Sequence, residues 1–336
     1  MFHGNGEETQ RDAALRPKWL REVIGQKAVT QRLQIAVNAS KILKEPLGHI
    51  LFDGPPGLGK TTFATVLPHE LGTTIQMTSG PALSKPADLL PFLSNAEEGS
   101  VLFIDEIHRT PRVVEEFLYP AMEDFRVDIV LGEGVNARTI SLTLKHFTII
   151  GATTRSGMLS GPMRDRFKMH EHLEFYSIEE LATIVRVNAK KLNTEITDDA
   201  ALELATRSRG TPRIANSRLA WVRNYSASES DGRITLEVAR AALDMAEVDR
   251  EGLDKQDRKY LETLVRVFDG GPTGVEAIAA TMNIPADTLS DEIEPFLLRE
   301  QFIIRSPRGR LATPKTFTLL GLPIDPKTPP PPGLFD

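Results

Sequence analysis

The sequence predicts an α/β domain built on a parallel sheet, followed by an all-helical segment and then a winged-helix module. Three observations predict it. Short apolar runs alternate with helical stretches over residues 15–176. One of those runs leads directly into Gly54-Pro-Pro-Gly-Leu-Gly59-Lys60-Thr61-Thr62, the G-x-x-x-x-G-K-[ST] pattern of a phosphate-binding loop. After Ile178 the strand pattern stops, and it returns only near residue 302 as a hairpin pattern carrying arginines.

Residues 1–14 are polar and read as a flexible arm. Val29, Leu33, Ala36, Val37 and Leu43 form a helical stripe. Residues 50–52, 74–77, 101–104 and 147–150 are apolar or β-branched runs suited to buried parallel strands, with helices (61–71 among them) covering both faces. Residues 128–147 alternate around Gly-Glu-Gly and predict a β-hairpin inside this domain. Its apolar side chains, Ile140 and Leu142, either form an exposed docking strip or pack on their own domain. Residues 178–248 predict three or four helices, one starting at Thr197-Asp198-Asp199, with a turn at Asp231-Gly232. Helical stretches at 257–268, 274–282 and 286–298 lead into Phe302-Ile-Ile-Arg305-Ser-Pro-Arg308-Gly-Arg310-Leu-Ala-Thr313. Three helices and a terminal hairpin make a winged helix, a helix-turn-helix variant. Residues 323–336 hold Pro329–Pro332 and read as a tail with polyproline-II character. The expected boundaries are 15–176, 177–252 and 253–322.

Composition narrows the class. A chain of 336 residues is long enough for two or three domains, each with a core. It has no 18-residue apolar run and no apolar signal-peptide centre, so a soluble, cytoplasmic protein is expected. With no cysteine, thiolate metal sites and cysteine catalysis are excluded. The net charge of −6 argues against a chain coated in nucleic acid, yet leaves room for one local basic face. Residues 299–315 supply that face: Arg299, Arg305, Arg308, Arg310 and Lys315 against Glu300.

The phosphate loop implies a nucleoside triphosphate. Gly57, Leu58 and Gly59 let the backbone wrap a phosphate, and the helix N-terminus that follows at Lys60, Thr61 and Thr62 adds positive potential. Lys60 would reach the β- and γ-phosphates and Thr61 would ligate Mg²⁺. The run 101–104 ends in Asp105-Glu106, which places two carboxylates at the sheet edge where open α/β sheets bind ligands. Asp105 would hold Mg²⁺ and Glu106 would polarise the attacking water; the bland alternative is a strand end capped by solvated charge. The run 147–150 ends near Thr153 and Thr154, either of which could touch the γ-phosphate. Arg164-Asp165-Arg166-Phe167 and Gly210-Thr-Pro-Arg213 offer arginines, whose planar charged fork suits a phosphoryl-transfer transition state. Neither is diagnostic alone, since Arg-Asp-Arg is commonly a surface ion-pair cluster.

Taken in this order, the motifs resemble those of AAA+ ATPases. The segments Leu15-Arg-Pro-Lys18, Ile24-Gly-Gln26, Thr78-Ser-Gly-Pro81, Asp105-Glu-Ile-His-Arg109, Leu118-Tyr-Pro-Ala-Met-Glu-Asp-Phe125, Gly151-Ala-Thr-Thr-Arg155, Arg207-Ser-Arg-Gly-Thr-Pro-Arg-Ile-Ala-Asn216 and Ser306-Pro-Arg-Gly-Arg310 resemble, more narrowly, the RuvB family of bacterial Holliday-junction branch-migration motors. The resemblance spans residues 15–322. It implies an AAA+ core, a helical lid and a winged helix that meets DNA, in a hexameric ring around duplex DNA that works with RuvA, ATP and Mg²⁺. It implies that Lys60, Thr61, Asp105 and Glu106 serve binding and hydrolysis, and that Thr153 or Thr154 is the first sensor. Arg166 matches the arginine finger given to a neighbouring subunit, and Arg213 the second sensor. Leu15, Arg16 and Tyr176 match positions near the adenine, and Glu123, Asp124 and Phe125 further nucleotide contacts. Arg305, Arg308 and Arg310 match the DNA face, and the hairpin with Ile140 and Leu142 the RuvA-binding insertion.

Two segments depart from the family pattern. Asn216-Ser-Arg-Leu-Ala-Trp221-Val-Arg223 stands where Asn-Arg-Leu-Leu-Arg-Arg-Val-Arg is typical, and Lys145-His146 replaces a proline pair. A clamp-loader-type switch and a protein-remodelling ATPase would share the core. The first would end in a helical collar and the second would favour an aromatic pore loop, whereas the arginine-bearing hairpin favours a DNA translocase.

Overall fold

A computed structural model describes residues 14–131 and 138–323 of the chain. Among the described residues, seven strands lie in the first part: β1 (Ile50–Asp53), β2 (Ile75–Ser79), β3 (Ser100–Asp105), β4 (Arg126–Leu131), β5 (Arg138–Thr143), β6 (Phe147–Thr153) and β7 (Met169–His172). Five of them form a parallel sheet in the order β2-β3-β6-β1-β7. The central strands β3, β6 and β1 are the apolar runs, and every residue of β6 is buried. A core of Leu102, Ile104, Val114, Leu118, Ile149 and Phe167 packs between the sheet and the helix Arg112–Glu123. Because consecutive parallel strands are joined by crossovers, all five C-terminal ends reach the same edge.

Edge strand β7 escaped the sequence reading. Met-His-Glu-His carries no apolar run, but Glu171 is buried there against the exposed Arg32 of helix Lys27–Leu43, with N–O distances of 2.5 and 3.0 Å. On that helix Val29, Leu33 and Val37 are buried and Ala36 half-buried, but Leu43 is 63% exposed. The buried stripe therefore ends before the helix does, at the left-handed Lys44.

Strands β4 and β5 pair as an antiparallel hairpin with Val127 opposite Leu142 and Ile129 opposite Ile140. Val127 is buried, whereas all of β5 is exposed. The Gly-Glu-Gly turn lies outside the described residues, as do nearly all of the expected N-terminal arm and proline-rich tail.

The chain divides into two compact units, residues 1–176 and 177–336. The second begins with four helices, Ile178–Lys191, Asp198–Thr206, Pro212–Glu229 and Leu236–Met245. Ser177 and Glu180 close a capping box on the first, their bonds to backbone amides being 3.2 and 3.0 Å. Trp221, one of the departures, donates from Nε1 to the Ala242 carbonyl at 2.7 Å and so ties two of these helices together. Helices Lys255–Arg266 and Val275–Met282 follow. The expected 286–298 helix is interrupted by a π-helical turn at Leu289–Ile293. Pro295, just beyond, has no N–H to give to the carbonyl four residues back. Strands β8 (Ile303–Ser306) and β9 (Gly309–Ala312) form the wing, and an unanticipated helix, Pro314–Leu319, closes the fold. Gly309 has φ of 134°, and a Cβ there would meet the Thr273 carbonyl at 2.4 Å. That close approach lets Thr273 and Arg310 exchange two backbone hydrogen bonds, at 3.0 and 2.7 Å.

Candidate nucleotide site and DNA face

The phosphate loop is bounded by the end of β1 and the start of helix Lys60–Leu71. Gly54, Gly57 and Gly59 take φ of 132°, 80° and 102°, values that side chains rarely adopt. The first turn of the helix leaves the amides of Lys60, Thr61 and Thr62 without intrahelical acceptors, aimed where an anion would sit. Lys60 is buried, and its Nζ donates to the Gly54 and Pro55 carbonyls at 2.7 and 2.8 Å. Burial lowers its pKa to about 8 against the pull of Asp105, Asp53 and Glu106. The loop thus holds a buried cation on its own carbonyls, which a polyphosphate would satisfy better. Tyr176 is buried and donates to the carbonyl of the buried Leu58 at 3.2 Å. Leu15 is buried and Arg16 exposed.

At the end of β3, Glu106 adopts a left-handed backbone with φ of 46°. Its N–H donates to Asp105 Oδ1 at 2.9 Å, and its carboxylate accepts from Arg109 at 3.0 Å. Thr153, at the end of β6, is buried, pairs with His108 Nδ1 at 2.9 Å and accepts the Arg155 N–H at 2.9 Å. Thr154 is half-buried. His108, which the motifs alone do not mark out, lies in the Asp-Glu-Ile-His segment itself. Among the described residues no cluster of three or more acids and histidines could hold a metal alone. Thr61 and Asp105 do supply the hard oxygens that Mg²⁺ takes alongside substrate phosphates and water.

Arg166 follows the short helix Gly161–Asp165, which Ser160 caps. Its guanidinium lies over the Tyr119 ring at 4.1 Å, donates to the Pro162 carbonyl at 2.6 Å and pairs with Glu123 at 3.1 Å. Glu123, not Asp165, is therefore its local carboxylate. Tyr119 is fixed in turn: its hydroxyl meets Ser160 at 3.1 Å, and Ser160 donates to the buried Glu115 at 2.7 Å. Asp124 pairs with Arg126 at 3.6 Å, and Phe125 packs edge-on against His146 and Phe147.

In the second unit Arg213 is exposed in the first turn of helix Pro212–Glu229. The turn before it is anchored by buried arginines. Arg207 binds Glu203 at 2.6 Å and the Val248 carbonyl at 3.0 Å. Arg209, with φ of 53°, binds Asp254 at 2.5 Å, Asp257, and the Gly252 carbonyl at 3.0 Å. Arg218 shares that carbonyl at 3.1 Å, and burial lowers its pKa to about 9. Asp257 has no exposed surface, and burial pushes it up to about 7 although Arg209 opposes the shift.

On the wing, Arg305 and Arg310 face each other across β8 and β9, and both bind Glu294, which is fully buried. Burial opposes the ionisation of Glu294, but hydrogen bonds from Arg310 and Arg305 outweigh it and hold the carboxyl below the usual glutamate range. Arg308 is exposed at the turn, and its side chain pairs with none of the described residues. Ile140 and Leu142 are 50% and 38% exposed on β5. Glu294 could not have been singled out, since it is one of three acids in Asp291-Glu292-Ile-Glu294.

Comparison with known proteins follows the same division. Residues 15–173 match the family described as the Holliday junction DNA helicase RuvB P-loop domain, 176–249 the RuvB AAA lid domain, and 250–321 the RuvB C-terminal winged helix domain. The chain is 61% identical over 306 residues to the Holliday junction branch migration complex subunit RuvB of Rhodopirellula baltica, covering 91% of this chain and 84% of that one. It is 44% identical to the solved structure of the Thermotoga maritima RuvB Holliday junction branch migration motor, with a TM-score of 0.85 over 93% of this chain and 100% of that one. A point mutant of the same Thermotoga protein gives a TM-score of 0.87. Each of the three parts matches its RuvB counterpart in the same order, so the chain belongs to the RuvB family of AAA+ ATPases.

Proposed function

We propose that the chain is an ATP-driven DNA translocase that drives branch migration of Holliday junctions in recombination and repair, acting with RuvA as a hexameric ring in the cytoplasm. The observation that carries this is the buried Lys60, held on the Gly54 and Pro55 carbonyls of a phosphate loop, in a chain of this family. The domains run 15–176 for the ATPase core, 177–252 for the lid and 253–322 for the winged helix. Lys60 and the loop amides from Gly57 to Thr62 bind phosphates, and Thr61 with Asp105 holds Mg²⁺. Leu15, Arg16 and Tyr176 line the base side, with Glu123, Asp124 and Phe125 as further nucleotide contacts.

Glu106 takes the proton of the attacking water once it leaves Arg109. Thr153, held by His108, or the more open Thr154 reports the γ-phosphate. Arg166 serves a neighbour's nucleotide, stacked on Tyr119 so that little rotamer freedom is lost on docking. Arg213 passes nucleotide state to the lid. Arg305, Arg308 and Arg310 meet DNA phosphates, which makes binding salt-sensitive and independent of sequence. The exposure of Ile140 and Leu142 supports the hairpin as the RuvA-docking strip. The test is branch migration of a synthetic four-way junction with ATP, with and without RuvA. No migration under any condition, with ATPase activity intact, would leave the clamp-loader-type switch as the better reading.

A further inference from the structure

We propose that Glu294 is a positioning residue of the DNA face, fixing the Arg305 and Arg310 guanidiniums and cutting the charge that the pair presents to duplex phosphates from two to one. The inference rests on reading the wing as the DNA contact. Glu294 Oε1 accepts from Tyr260 Oη at 3.0 Å and from Arg310 Nε at 2.9 Å. Its Oε2 accepts from Arg305 Nε and Nη2 at 3.0 and 2.5 Å and from Arg310 Nη2 at 3.1 Å. Each guanidinium thus spends its Nε–Nη2 edge inward and keeps its Nη1 group free of this carboxylate. Arginine carries five donors in a rigid fork, so fixing one edge fixes the direction of the other.

The arrangement also answers a cross-strand problem. Arg305 and Arg310 are directly opposed in the β8–β9 register, where like charges repel. One buried anion beneath both removes that repulsion and leaves a net charge of about +1. Arg305 is 48% exposed and Arg310 only 18%, so the pair is a preset surface and not two free side chains. Arg308, at the turn, contributes its own charge independently.

A merely structural Glu294 would move the melting temperature alone, whereas a charge-setting one moves the salt dependence of DNA binding. The full-length chain would be titrated with a fluorescent duplex over a salt series, with thermal melts in parallel. The slope of log K against log salt changes by about 0.9 for each phosphate neutralised. Arg305→Gln is expected to lower its magnitude by about one unit and Glu294→Gln to raise it by about one unit. The double variant Arg305→Gln/Glu294→Gln, which restores the original net charge, should return to the wild-type slope. A folded Glu294→Gln protein with the wild-type slope would overturn the proposal. Should that variant not fold, the double variant decides: recovery of the wild-type slope supports the proposal, and a slope still equal to that of Arg305→Gln overturns it. If the wild-type chain shows no salt-dependent duplex binding, the DNA face itself is misassigned, a result distinct from either.

Discussion

Lys60 should take up a proton when nucleotide binds at alkaline pH. Its ammonium rests on the Gly54 and Pro55 carbonyls, and burial holds its pKa at about 8. A bound polyphosphate would return it toward the ordinary lysine value of about 10.4, a coupling of up to ~3 kcal/mol at ~1.4 kcal/mol per unit. About half of the sites are neutral at pH 8 and about nine tenths at pH 9, so uptake should rise from about 0.5 to about 0.9 proton per site. Affinity at pH 9 should be about tenfold weaker than at pH 7. ATP is fully ionised between pH 8 and 9, so uptake there that Lys60→Ala removes belongs to Lys60. Isothermal titration calorimetry in two buffers of different ionisation enthalpy reads the uptake directly, with Lys60→Ala as the control. Zero uptake at pH 9, or affinity flat from pH 7 to 9, would refute the reasoning. The same depressed pKa means that the unfolded chain holds more protons between about pH 8 and 10.4, so the empty protein should gain stability as pH rises through that window.

Three further outcomes are expected. Arg166→Ala and Glu106→Gln should each bind ATP yet barely hydrolyse it, an arginine finger being worth about 10³–10⁵ in rate; mixing the two should restore partial turnover, and none in confirmed mixed rings would assign Arg166 to its Glu123 pair alone. Ile140→Asp with Leu142→Asp should abolish stimulation by RuvA while leaving the melting temperature and basal ATPase activity unchanged, because both side chains are already exposed; a lower melting temperature would mean that they are core residues. Arg209→Leu strands the buried Asp257 and should cost the C-terminal unit about 3–5 kcal/mol by urea melt above pH 7, a loss that shrinks as pH falls through about 7, where Asp257 is protonated even beside Arg209; a pH-independent cost would point to lost packing.

What the sequence disclosed follows from locality. The loop Gly54–Thr62, the pair Asp105-Glu106 and the end of β6 were legible because each is a contiguous run whose composition reports its own strand or turn. Edge strand β7 was not, since Met-His-Glu-His is made tolerable by Arg32, 139 residues away. The partners of the site arginines were hidden for the same reason. Glu123 lies 43 residues before Arg166, Asp254 lies 45 after Arg209, and Glu294 is joined to the wing only by the packing of a helix. A charge count over residues 299–315 gives a more basic face than exists, because Glu294, which binds both Arg305 and Arg310, falls outside the window. Leu43 shows the reverse error, a periodic apolar position beyond the last residue of the partner surface.

The Arg209 knot sets where this protein can be recombined with its relatives. Arg209 belongs to the turn that carries Arg213, whereas its carboxylate partners Asp254 and Asp257 open the next module. A chimera joined between residues 249 and 250 would bring together halves selected separately, and any mismatch would leave a guanidinium or a carboxylate stranded in the interior. One joined ahead of Ser177 moves all three residues together with Arg218 and Gly252. Grafting a foreign DNA-binding end onto this motor is therefore a transplant of the lid as well, and the inherited unit is the pair.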